Sequence, residues 1–547
     1  MWFLRHTTLT SLLAVLALAH KDVLVSRRAV AAGQLAKRGE SLANDTGNFE
    51  LSFYHINDVH AHFDEFFATN GNNCTDRSRG CVGGYARVKT VLDQSRPTKE
   101  NSLFLDAGDE FQGTLFYNFY KGEKTAEVLN QIGVDAMTLG NHEFDDGDDV
   151  LGEFLANLTF PIVSANIKSS HPVLNKTIQP YTIFDQYKVA VIGVTVDSST
   201  LSNPSNLTTF SDPIQSVQHT IDSIHATTDI KRIVALTHIG YDQDVLLAQQ
   251  TTGLSLIMGG HSHTPLGNMS SSPAGAYPTI VNNTANEEVF VVTAYRWGEY
   301  LGYIDLVWDS NDRVVEYHGA PFHLDNTTAQ DVELQRQIVE WRAPFESYAN
   351  EVIGESSVDL GQDTCQLEEC LLGDLMADAA EAYGKGLDAD VDFAIINAGG
   401  IRAAIDAGPI TRGEVLTAFP FGNSLVSLTR TGQVFWNVLE GIVSGRNLGN
   451  GLEVTSFLQL SSAIRITYSP DASVGSRLQS VLVGGQDIDL SATYKIITLD
   501  YLATGGDNFF EAATDFAVLD LQADVLESYV TTQSPISITV DGRIGVV

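Results

Sequence analysis

Five apolar segments in the first half of the chain each run into an aspartate, an asparagine or a histidine. The segments and the polar residues that follow them are 50–56 with Asp58 and His60, 102–106 with Asp109, 135–139 with Asn141 and His142, 232–237 with His238, and 254–260 with His261 and His263. Helical patterns lie between some of them, for example over 84–94 and 124–132, so the order is that of β-α-β units. Open α/β sheets place their sites at the carboxyl ends of the strands. The five ends therefore predict one metal cluster in an α/β domain.

The spacing within these motifs suits metal chemistry. In an extended chain, Asp58 and His60 would leave the strand on one face and could share a cation, and Asp109 would be exposed on a glycine turn. In the Gly-Asn-His-Glu run that contains His142, Asp145 follows at a spacing that lets its carboxylate hold the imidazole. A purely structural alternative is that the asparagine caps a helix and the histidine is satisfied within a turn. Each motif alone leaves that alternative open, but five in this order are hard to explain structurally.

The composition limits the class of protein and of partner. With 547 residues the chain is too long for one core, so two domains and a connector are expected. A hydrophobic fraction of 44% and a charged fraction of 18% are typical of a soluble globular protein. The 68 acidic and 32 basic residues give a formal charge of -36, which argues against nucleic acid or an anionic membrane as a partner. An anionic substrate would need local positive charge from metal ions and a few arginines.

The start of the chain has the features of an exported protein. A short basic start, an apolar core and a small-residue end over 1–19 are typical of a secretory signal peptide. The basic, Ala-rich stretch 20–48 is either a processed leader or a disordered arm left in place. Because no apolar tail runs up to residue 547, we expect no membrane anchor. These features predict a secreted, extracellular protein and say nothing of its oligomeric state.

Cysteines and glycosylation signals agree with export. The four cysteines form two local pairs, Cys74 with Cys81 and Cys365 with Cys370. Such pairs suggest disulfides in an oxidising compartment, whereas a zinc site would use more thiolates at tighter spacing. Acceptor sites of the form Asn-x-Ser/Thr occur at Asn44, Asn73, Asn157, Asn175, Asn206, Asn268, Asn282 and Asn326.

The pattern becomes helical after residue 326, and this divides the chain. Apolar residues recur mostly at three- to four-residue steps and predict one long helix over about 331–350. We therefore assign 49–328 to a catalytic domain, 329–350 to a connector helix and 351–547 to a second domain. In that domain a strand over 391–396 breaks at Asn397, where Gly399 and Gly400 would let the backbone approach a ligand.

The motif series Asp-x-His, Gly-Asp-x-x-x-Gly, Gly-Asn-His-Glu, Thr-His and Gly-His-x-His resembles that of the calcineurin-like metallophosphoesterases. Together with the sequence after residue 350, it resembles the secreted 5'-nucleotidase family over roughly residues 50–545. The resemblance implies an α/β fold with a four-layer α/β/β/α metallophosphoesterase domain at the N-terminus. It also implies a smaller α/β domain at the C-terminus that binds the nucleotide and, in some members, swings to carry it to the metals.

The resemblance further implies two divalent metal ions. One would be held by Asp58, His60, Asp109 and His263, and the other by Asp109, Asn141, His238 and His261, with Asp109 as the bridge. Nitrogen and oxygen ligands suit Zn²⁺ and leave Mn²⁺, Co²⁺ or Fe open. A hydroxide shared by the two ions would attack phosphorus in line. His142 would stabilise the charge that builds on the phosphoryl oxygens, and Asp145 would orient His142.

For the second domain, the resemblance implies a nucleoside site. Phe421 and Tyr501 would be the two faces of a base clamp, Asp507 would bind the ribose hydroxyls, Asn397 the base edge and Arg402 the phosphate. The structural alternatives are a core position for each aromatic ring and a surface ion pair for the arginine. Both aromatic residues lie in glycine-containing loops, which favours stacking on a base.

Two positions depart from the resembled family. Gln366 stands where many relatives carry an arginine directly after the first cysteine of the 365–370 loop. Phosphate binding would therefore lose one charge. The segment 457–462 lacks the glycine pair usual at that loop, and we expect this to narrow the base pocket.

These features predict an enzyme, a secreted metal-dependent 5'-nucleotidase. It would hydrolyse nucleoside 5'-monophosphates, with AMP as the first substrate to test, to nucleoside and phosphate. A broader phosphoesterase acting on nucleoside diphosphates, UDP-sugars or cyclic nucleotides would use the same metal core. A secreted nucleotide-binding protein that has lost catalysis is a third hypothesis, against which the intact set of metal ligands argues.

Overall fold

The computed structural model describes residues 47–68, 73–74, 77–199, 202–271, 273–388, 390–513 and 515–547. The expected signal peptide at 1–19 and nearly all of the expected leader at 20–48 lie outside the described residues. The chain folds into two α/β units joined by one long helix, which confirms the predicted fold class. The domain boundaries stay predictions.

Two β-sheets form the first unit. Among the described residues, the first sheet has eight strands, in the order Val314–His318, Tyr300–Trp308, Phe49–Ile56, Ser102–Asp106, Ala136–Met137, Ile162–Val163 and Ile178–Gln179, with Phe322–His323 also paired to Tyr300–Trp308. The second has six, in the order Thr279–Asn282, Glu288–Thr293, Leu256–Gly259, Arg232–His238, Val189–Thr195 and Tyr181–Phe184. Two short pairs lie apart, Phe66–Phe67 with Cys81–Val82 and Ile167–Ser169 with Thr208–Phe210. The central strands of both sheets are parallel, so their carboxyl ends meet at one edge.

The two sheets pack face to face. Along the strand Val189–Thr195, Val189 and Val191 belong to the core between the sheets, whereas Ala190 and Ile192 belong to the core on the opposite face. Successive side chains of a strand alternate in this way. Because both faces are buried, the strand reads in the sequence as a continuous apolar run.

Helices cover both outer faces. Tyr85–Ser95, Gly122–Ile132 and Gly147–Asn157 pack on the first sheet, and Pro213–Thr227 and Tyr241–Gln250 pack on the second. Two shorter helices of this unit are Leu115–Tyr120 and Leu174–Thr177. The layers are therefore helix, sheet, sheet and helix, as the resemblance implied.

The helix Val332–Ala349 connects the two units. The carboxylate of Asp331 caps it by accepting a hydrogen bond from the N–H of Leu334 at 2.8 Å. Its buried residues are Leu334, Ile338, Trp341 and Phe345. They belong to the core of the first unit, so the connector is anchored there. The helix expected over 331–350 is present, with each end within one residue of the prediction.

The second unit has its own sheets and its own core. Its five-stranded sheet has the order Leu458–Leu460, Val391–Asn397, Thr493–Leu499, Ser424–Thr431 and Ala517–Leu521, and its four-stranded sheet the order Gln486–Asp487, Leu478–Val483, Ile464–Tyr468 and Ile544–Val546. Val352–Ser356 pairs with Gly408–Thr411. The helices are Leu371–Leu387, Arg412–Ala418, Gly432–Val443, Asp500–Ala503 and Gln522–Gln533. The strand Val391–Asn397 ends at the predicted Asn-Ala-Gly-Gly turn, which faces the first unit.

The disulfides and the glycosylation asparagines agree with the predictions made from the sequence. Both predicted disulfides are formed, Cys74 with Cys81 and Cys365 with Cys370. Seven of the eight predicted glycosylation asparagines are described and all seven are exposed, while Asn44 lies outside the described residues. In the described part of the chain, no helix combines the length and the apolar composition needed to cross a bilayer.

Candidate metal centre and active site

The five strand ends converge on one point. Groups of side chains whose donor atoms all lie within 4.8 Å of one another are Asp58 with His60 and His263, Asp109 with His238 and His261, and His60 with Asp109 and His142. The seventh predicted ligand, Asn141, joins them, since its Oδ1 lies 2.8 Å from His261 Nδ1. All seven positions named from the sequence therefore share one site. Asp109 and His60 each belong to two of the groups.

Backbone carbonyls fix which nitrogen of two imidazoles faces this site. His60 Nδ1 donates to the carbonyl of Phe111 at 3.0 Å, and His238 Nδ1 donates to that of Ala107 at 2.7 Å. The Nε2 atom of each ring therefore presents its lone pair to the centre. His60 Nε2 lies 3.1 Å from His263 Nε2, and His238 Nε2 is buried 3.1 Å from Asp109 Oδ2. Such inward lone pairs suit divalent cations that take nitrogen and oxygen ligands.

The electrostatics of the cluster keep Asp109 anionic. Burial alone would raise the pKa of its carboxyl, but the imidazoles of His238 and His142 bring the pKa well below its usual range. For His142, burial alone would lower the pKa, yet the carboxylates of Asp145 and Asp109 raise it above its usual value. Asp145 Oδ2 accepts from His142 Nδ1 at 2.7 Å, which is the contact that their spacing predicted.

Two expectations about the local backbone were wrong. Asp58 and His60 are not in an extended strand, because the strand ends at Ile56 and both residues have φ of 51°. They reach the same site through left-handed turns instead. Asp109 is 2% exposed rather than exposed on its turn, because it faces the other side chains of the cluster and the second unit closes over them. His261 and His263 also have positive φ, and strained backbone of this kind gathers at functional sites.

One glycine is required by the close approach of two motif turns. A Cβ on Gly140 would lie 2.1 Å from Asp109 Oδ1. Any larger residue would therefore displace the central carboxylate. The glycine of the Gly-Asn-His-Glu run lets two ligand-bearing turns meet.

The second unit closes over this centre and forms a cavity of about 620 Å³ with it. The cavity is lined by all seven substrate residues named from the sequence, Asn397, Gly399, Gly400, Arg402, Phe421, Tyr501 and Asp507, and also by Asn141, His142 and Asp145. The ring of Phe421 stacks on the imidazole of His142, with 5.4 Å between centroids. Residues from the two units thus meet in one space.

The predicted base and ribose contacts have defined partners. Asp507 accepts hydrogen bonds from Asn397 Nδ2 at 2.6 Å, Thr455 Oγ1 at 2.9 Å and the Tyr501 hydroxyl at 3.1 Å. Burial raises the pKa of the Asp507 carboxyl, while these donors lower it in part. The Oδ1 atom of Asn397 is buried and has no hydrogen-bond partner among the described residues. It is an acceptor suited to an amino group on a base edge.

Arg402 is not a surface ion pair. Its Nη2 lies 3.1 Å from His60 Nε2, so the guanidinium of the second unit reaches the metal centre of the first. It also lies over the Phe421 ring at 5.7 Å. This position suits contact with an anion held at the centre.

Comparisons with known proteins agree with this geometry. The family model described as calcineurin-like phosphoesterase matches residues 51–265, and that described as 5'-nucleotidase, C-terminal domain, matches residues 352–515. The snake venom 5'-nucleotidase of Naja atra is 33% identical over 533 residues, which are 91% of this chain and 98% of that protein. The 5'-nucleotidase of Homo sapiens is 33% identical over 534 residues, 91% of each chain. The crystal structure of a 5'-nucleotidase precursor from Thermus thermophilus matches with a TM-score of 0.83 at 34% identity, covering 91% of this chain and 99% of that one.

The chain belongs to the 5'-nucleotidase family. It is therefore a phosphoric monoester hydrolase with metal-binding clusters of histidine and aspartate. The two matched regions correspond to its two folded units.

Of the two positions at which this 5'-nucleotidase family member departs from the resembled pattern, one lines the nucleoside cavity and the other does not. Gln366 lines the cavity, and its Oε1 accepts from the N–H of Phe457 at 3.0 Å. The expectation that 457–462 narrows the base pocket was wrong, because the wall there is formed by Thr455 and Ser456. The strand Leu458–Leu460 instead pairs with Val391–Asn397 behind the cavity.

Two residues that support the metal centre of this 5'-nucleotidase family member were not singled out from the sequence. The carboxylate of Glu143 accepts backbone N–H groups of Asp109, Glu110, Phe111 and Gly140 at 2.6 to 3.2 Å. Asn57 Nδ2 donates to Asp58 Oδ2 at 2.7 Å, and Asn57 Oδ1 accepts from the N–H of Ala294 at 2.7 Å. Glu143 lies inside the Gly-Asn-His-Glu motif, directly after His142, and Asn57 directly precedes the Asp-x-His motif, and that adjacency was the available signal.

Proposed function

We propose that this chain is a secreted 5'-nucleotidase that hydrolyses nucleoside 5'-monophosphates, AMP first among them, to nucleoside and inorganic phosphate. The observation that carries the proposal is the single cavity in which a cluster of metal-binding side chains meets residues suited to a nucleoside. The phosphate would lie at the cluster and the base about Phe421, Tyr501 and Asn397, with Phe421 beside His142 at the boundary between the two. The relatives reported above support the same reaction class.

The proposed metal ligands divide between two ions. Asp58, His60, Asp109 and His263 would hold one, and Asp109, Asn141, His238 and His261 the other. The anionic state of Asp109 and the inward lone pairs of His60 and His238 support this division. When bound, two divalent ions supply an activated water and neutralise charge on the phosphoryl group. Zn²⁺ is the ion we expect first, and Mn²⁺, Co²⁺ and Fe also suit the ligand types.

His142 acts on the phosphoryl group directly, and Asp145 orients it. The Nδ1–H of His142 is held by Asp145, so its Nε2 is left to face the substrate. Because the two carboxylates nearby favour its charged form, His142 can donate a hydrogen bond to a phosphoryl oxygen as charge builds there. In the net reaction the oxygen of water bonds to phosphorus, the bond from phosphorus to the 5' oxygen breaks, and that oxygen takes a proton to leave as the nucleoside.

The second unit binds the nucleoside. Phe421 and Tyr501 would stack on the base, Asn397 would accept from its edge, and Asp507 would bind the ribose hydroxyls. Stacking on aromatic side chains tolerates different bases. The unpaired Oδ1 of Asn397 favours a base that carries an amino group, which supports AMP as the first substrate.

Phosphate release from a nucleotide panel tests the proposal. The purified protein would be assayed with AMP, ADP, UDP-glucose and 2',3'-cyclic AMP, each with and without a chelator. We expect AMP to give the highest rate, chelation to abolish it, and added Zn²⁺ or Mn²⁺ to restore it. A highest rate with ADP, UDP-glucose or the cyclic nucleotide would favour the broader phosphoesterase. No release under any condition would favour a nucleotide-binding protein without catalysis.

Export is proposed on separate grounds. Seven exposed acceptor asparagines and two disulfides are typical of proteins that pass through an oxidising compartment. We expect protein from the culture medium of its source to lose mass on treatment with an N-glycosidase. Protein found only inside the cells, with unchanged mass, would contradict export.

A further inference from the structure

A second cavity, of about 930 Å³, adjoins the metal centre. The residues that it shares with the nucleoside cavity are Asn141, His142, His261, Gln366, Gly399, Arg402 and Thr455, but its lining includes neither ring of the base clamp nor Asp507. The wall that it does not share includes the turn 295–297 of the first unit. A group bound against that turn would lie beside the metal centre and would not touch the base clamp.

The side chain that stands out in this cavity is Arg296. Its guanidinium carbon lies over the ring of Trp297, 3.8 Å from the centroid, and 5.1 Å from that of Tyr295. Its Nε is buried and has no hydrogen-bond partner within the described residues. None of the ion pairs observed in that part of the chain involves it. A guanidinium held in place without an anion is a ready partner for one.

The turn that carries Arg296 is built into the metal centre. The N–H of Trp297 donates to the carbonyl of Asp58 at 2.7 Å. Asn57, which also donates to the Asp58 carboxylate, donates to the carbonyl of Tyr295 at 2.8 Å. Both Tyr295 and Trp297 have positive φ, so the turn is held in a strained form against the ligand loop. Arg296 is therefore placed by the same contacts that place Asp58.

The charges around the cavity favour a phosphate. The guanidinium groups of Arg296 and Arg402 both line this cavity. Gln366, which also lines it, is neutral. Of the carboxylates that line the cavity, Asp109 belongs to the metal centre and Asp363 is exposed. A doubly charged anion in the cavity would be attracted by both guanidinium groups.

We propose that Arg296 is a phosphate-binding residue of this active site, supplied by the first unit on the side of the metal centre away from the base clamp. The inference rests on the proposed function for the identity of the substrate. The phosphate is either the group that is hydrolysed, which is also the product, or a second phosphate of a longer nucleotide. With Gln366 in the second unit uncharged, Arg296 and Arg402 are the two cations that hold it.

Titration calorimetry on the full chain loaded with Zn²⁺ tests this site without turnover. The probes are inorganic phosphate, and AMP and ADP at a temperature and time that limit hydrolysis. We expect Arg296→Gln to weaken phosphate binding by about tenfold or more, since it loses a charge-assisted contact. Arg296→Lys keeps the charge and should weaken binding by less. Equal losses for phosphate and AMP assign Arg296 to the hydrolysed group, whereas a loss confined to ADP assigns it to a second phosphate.

Two variants control for charge and for domain contact. Arg313→Gln makes the same change in net charge at an exposed ion pair with Asp309, at the end of the sheet opposite the site, and should bind phosphate as the wild type does. Asp363→Asn removes an exposed carboxylate that lines the same cavity and should leave phosphate binding unchanged or tighter. A weakening by Asp363→Asn equal to that of Arg296→Gln would mean that changes in this lining act through the contact between the units and not through the charge of Arg296, and would overturn the site.

The failure of this inference can be told apart from failure of the proposed function. If the wild type releases no phosphate from AMP but Arg296→Gln still weakens phosphate binding, the function is wrong and the site stands. If AMP is hydrolysed and Arg296→Gln, folded by its melting temperature, binds all three probes within twofold of the wild type, the site is wrong.

Discussion

The metal centre and the nucleoside cavity share a space but are built differently. At the centre, the loops are held by hydrogen bonds to their own backbone, with Glu143 alone accepting four N–H groups. In the cavity, the polar residues bond mainly to one another, as Asp507 does to Asn397 and Tyr501. The first arrangement fixes atoms before any ligand arrives, while the second can exchange its partners for those of a substrate. Changes at the centre should therefore act on turnover and changes in the cavity on substrate affinity.

The largest effect should follow from removing the shared carboxylate. We expect Asp109→Asn to lower turnover of AMP by roughly a thousandfold or more, beyond the loss typical of one transition-state contact, and to lower the metal content measured by mass spectrometry. Asp244→Asn is the matched control. Burial raises the pKa of Asp244 to about 8, which favours the neutral carboxyl, and an amide still accepts a hydrogen bond from Thr237 Oγ1, so this variant should retain activity. Full metal content and near-normal turnover in Asp109→Asn would contradict the ligand assignment.

A variant of His142 distinguishes a defect in the chemical step from a defect in metal binding. His142→Ala should lower turnover by about 10²–10³-fold, as for loss of one stabilising donor, while the metal content stays at the wild-type value. Asp145→Asn should lower turnover by less, since it disturbs the orientation of His142 and leaves the ring in place. Turnover within threefold of the wild type in His142→Ala would show that this imidazole does not touch the reacting group.

A methyl group placed between two turns tests how rigid the centre is. In Gly140→Ala the added carbon would meet the Asp109 carboxylate at 2.1 Å, so we expect metal affinity to fall by about 10–100-fold, as when ligand orientation is lost. Gly361→Ala is the control, because nothing lies within 4 Å of its Cβ. Competition with a chelator of known affinity measures both. Equal affinity in the two variants would mean that the turns adjust freely.

The smallest effect on activity should follow from a change in the nucleoside cavity. Phe421→Ala should raise KM for AMP by roughly tenfold, in line with the loss of one stacked base, and should change kcat little, because stacking is the same before and during the reaction. Ribose 5-phosphate, which has no base, serves as the control substrate, and its KM should not change. An unchanged KM for AMP would remove Phe421 from the base clamp.

The same contrast explains what the sequence could predict. The connector helix and the convergence of the five strand ends followed from apolar patterns and the residues after them, whereas the four-layer fold and the set of seven ligands followed from the resemblance to a known family. The conformation at Asp58 and His60 did not, because left-handed turns at non-glycine residues are set by tertiary contacts such as that of Asp58 with Trp297. Arg296 carries no motif, and only folding places it in one cavity with Arg402 of the second unit. A pattern within one segment is visible in the sequence, whereas a meeting of two units is not.

Anomalous X-ray diffraction from crystals of the protein grown with Zn²⁺ and a non-hydrolysable AMP analogue is the most direct test of the two-ion centre. We expect two strong peaks, one among Asp58, His60 and His263 and the other among Asp109, His238 and His261, with the analogue's phosphate beside them and its base between Phe421 and Tyr501. A single peak or none at these residues, or a base bound elsewhere, would contradict it.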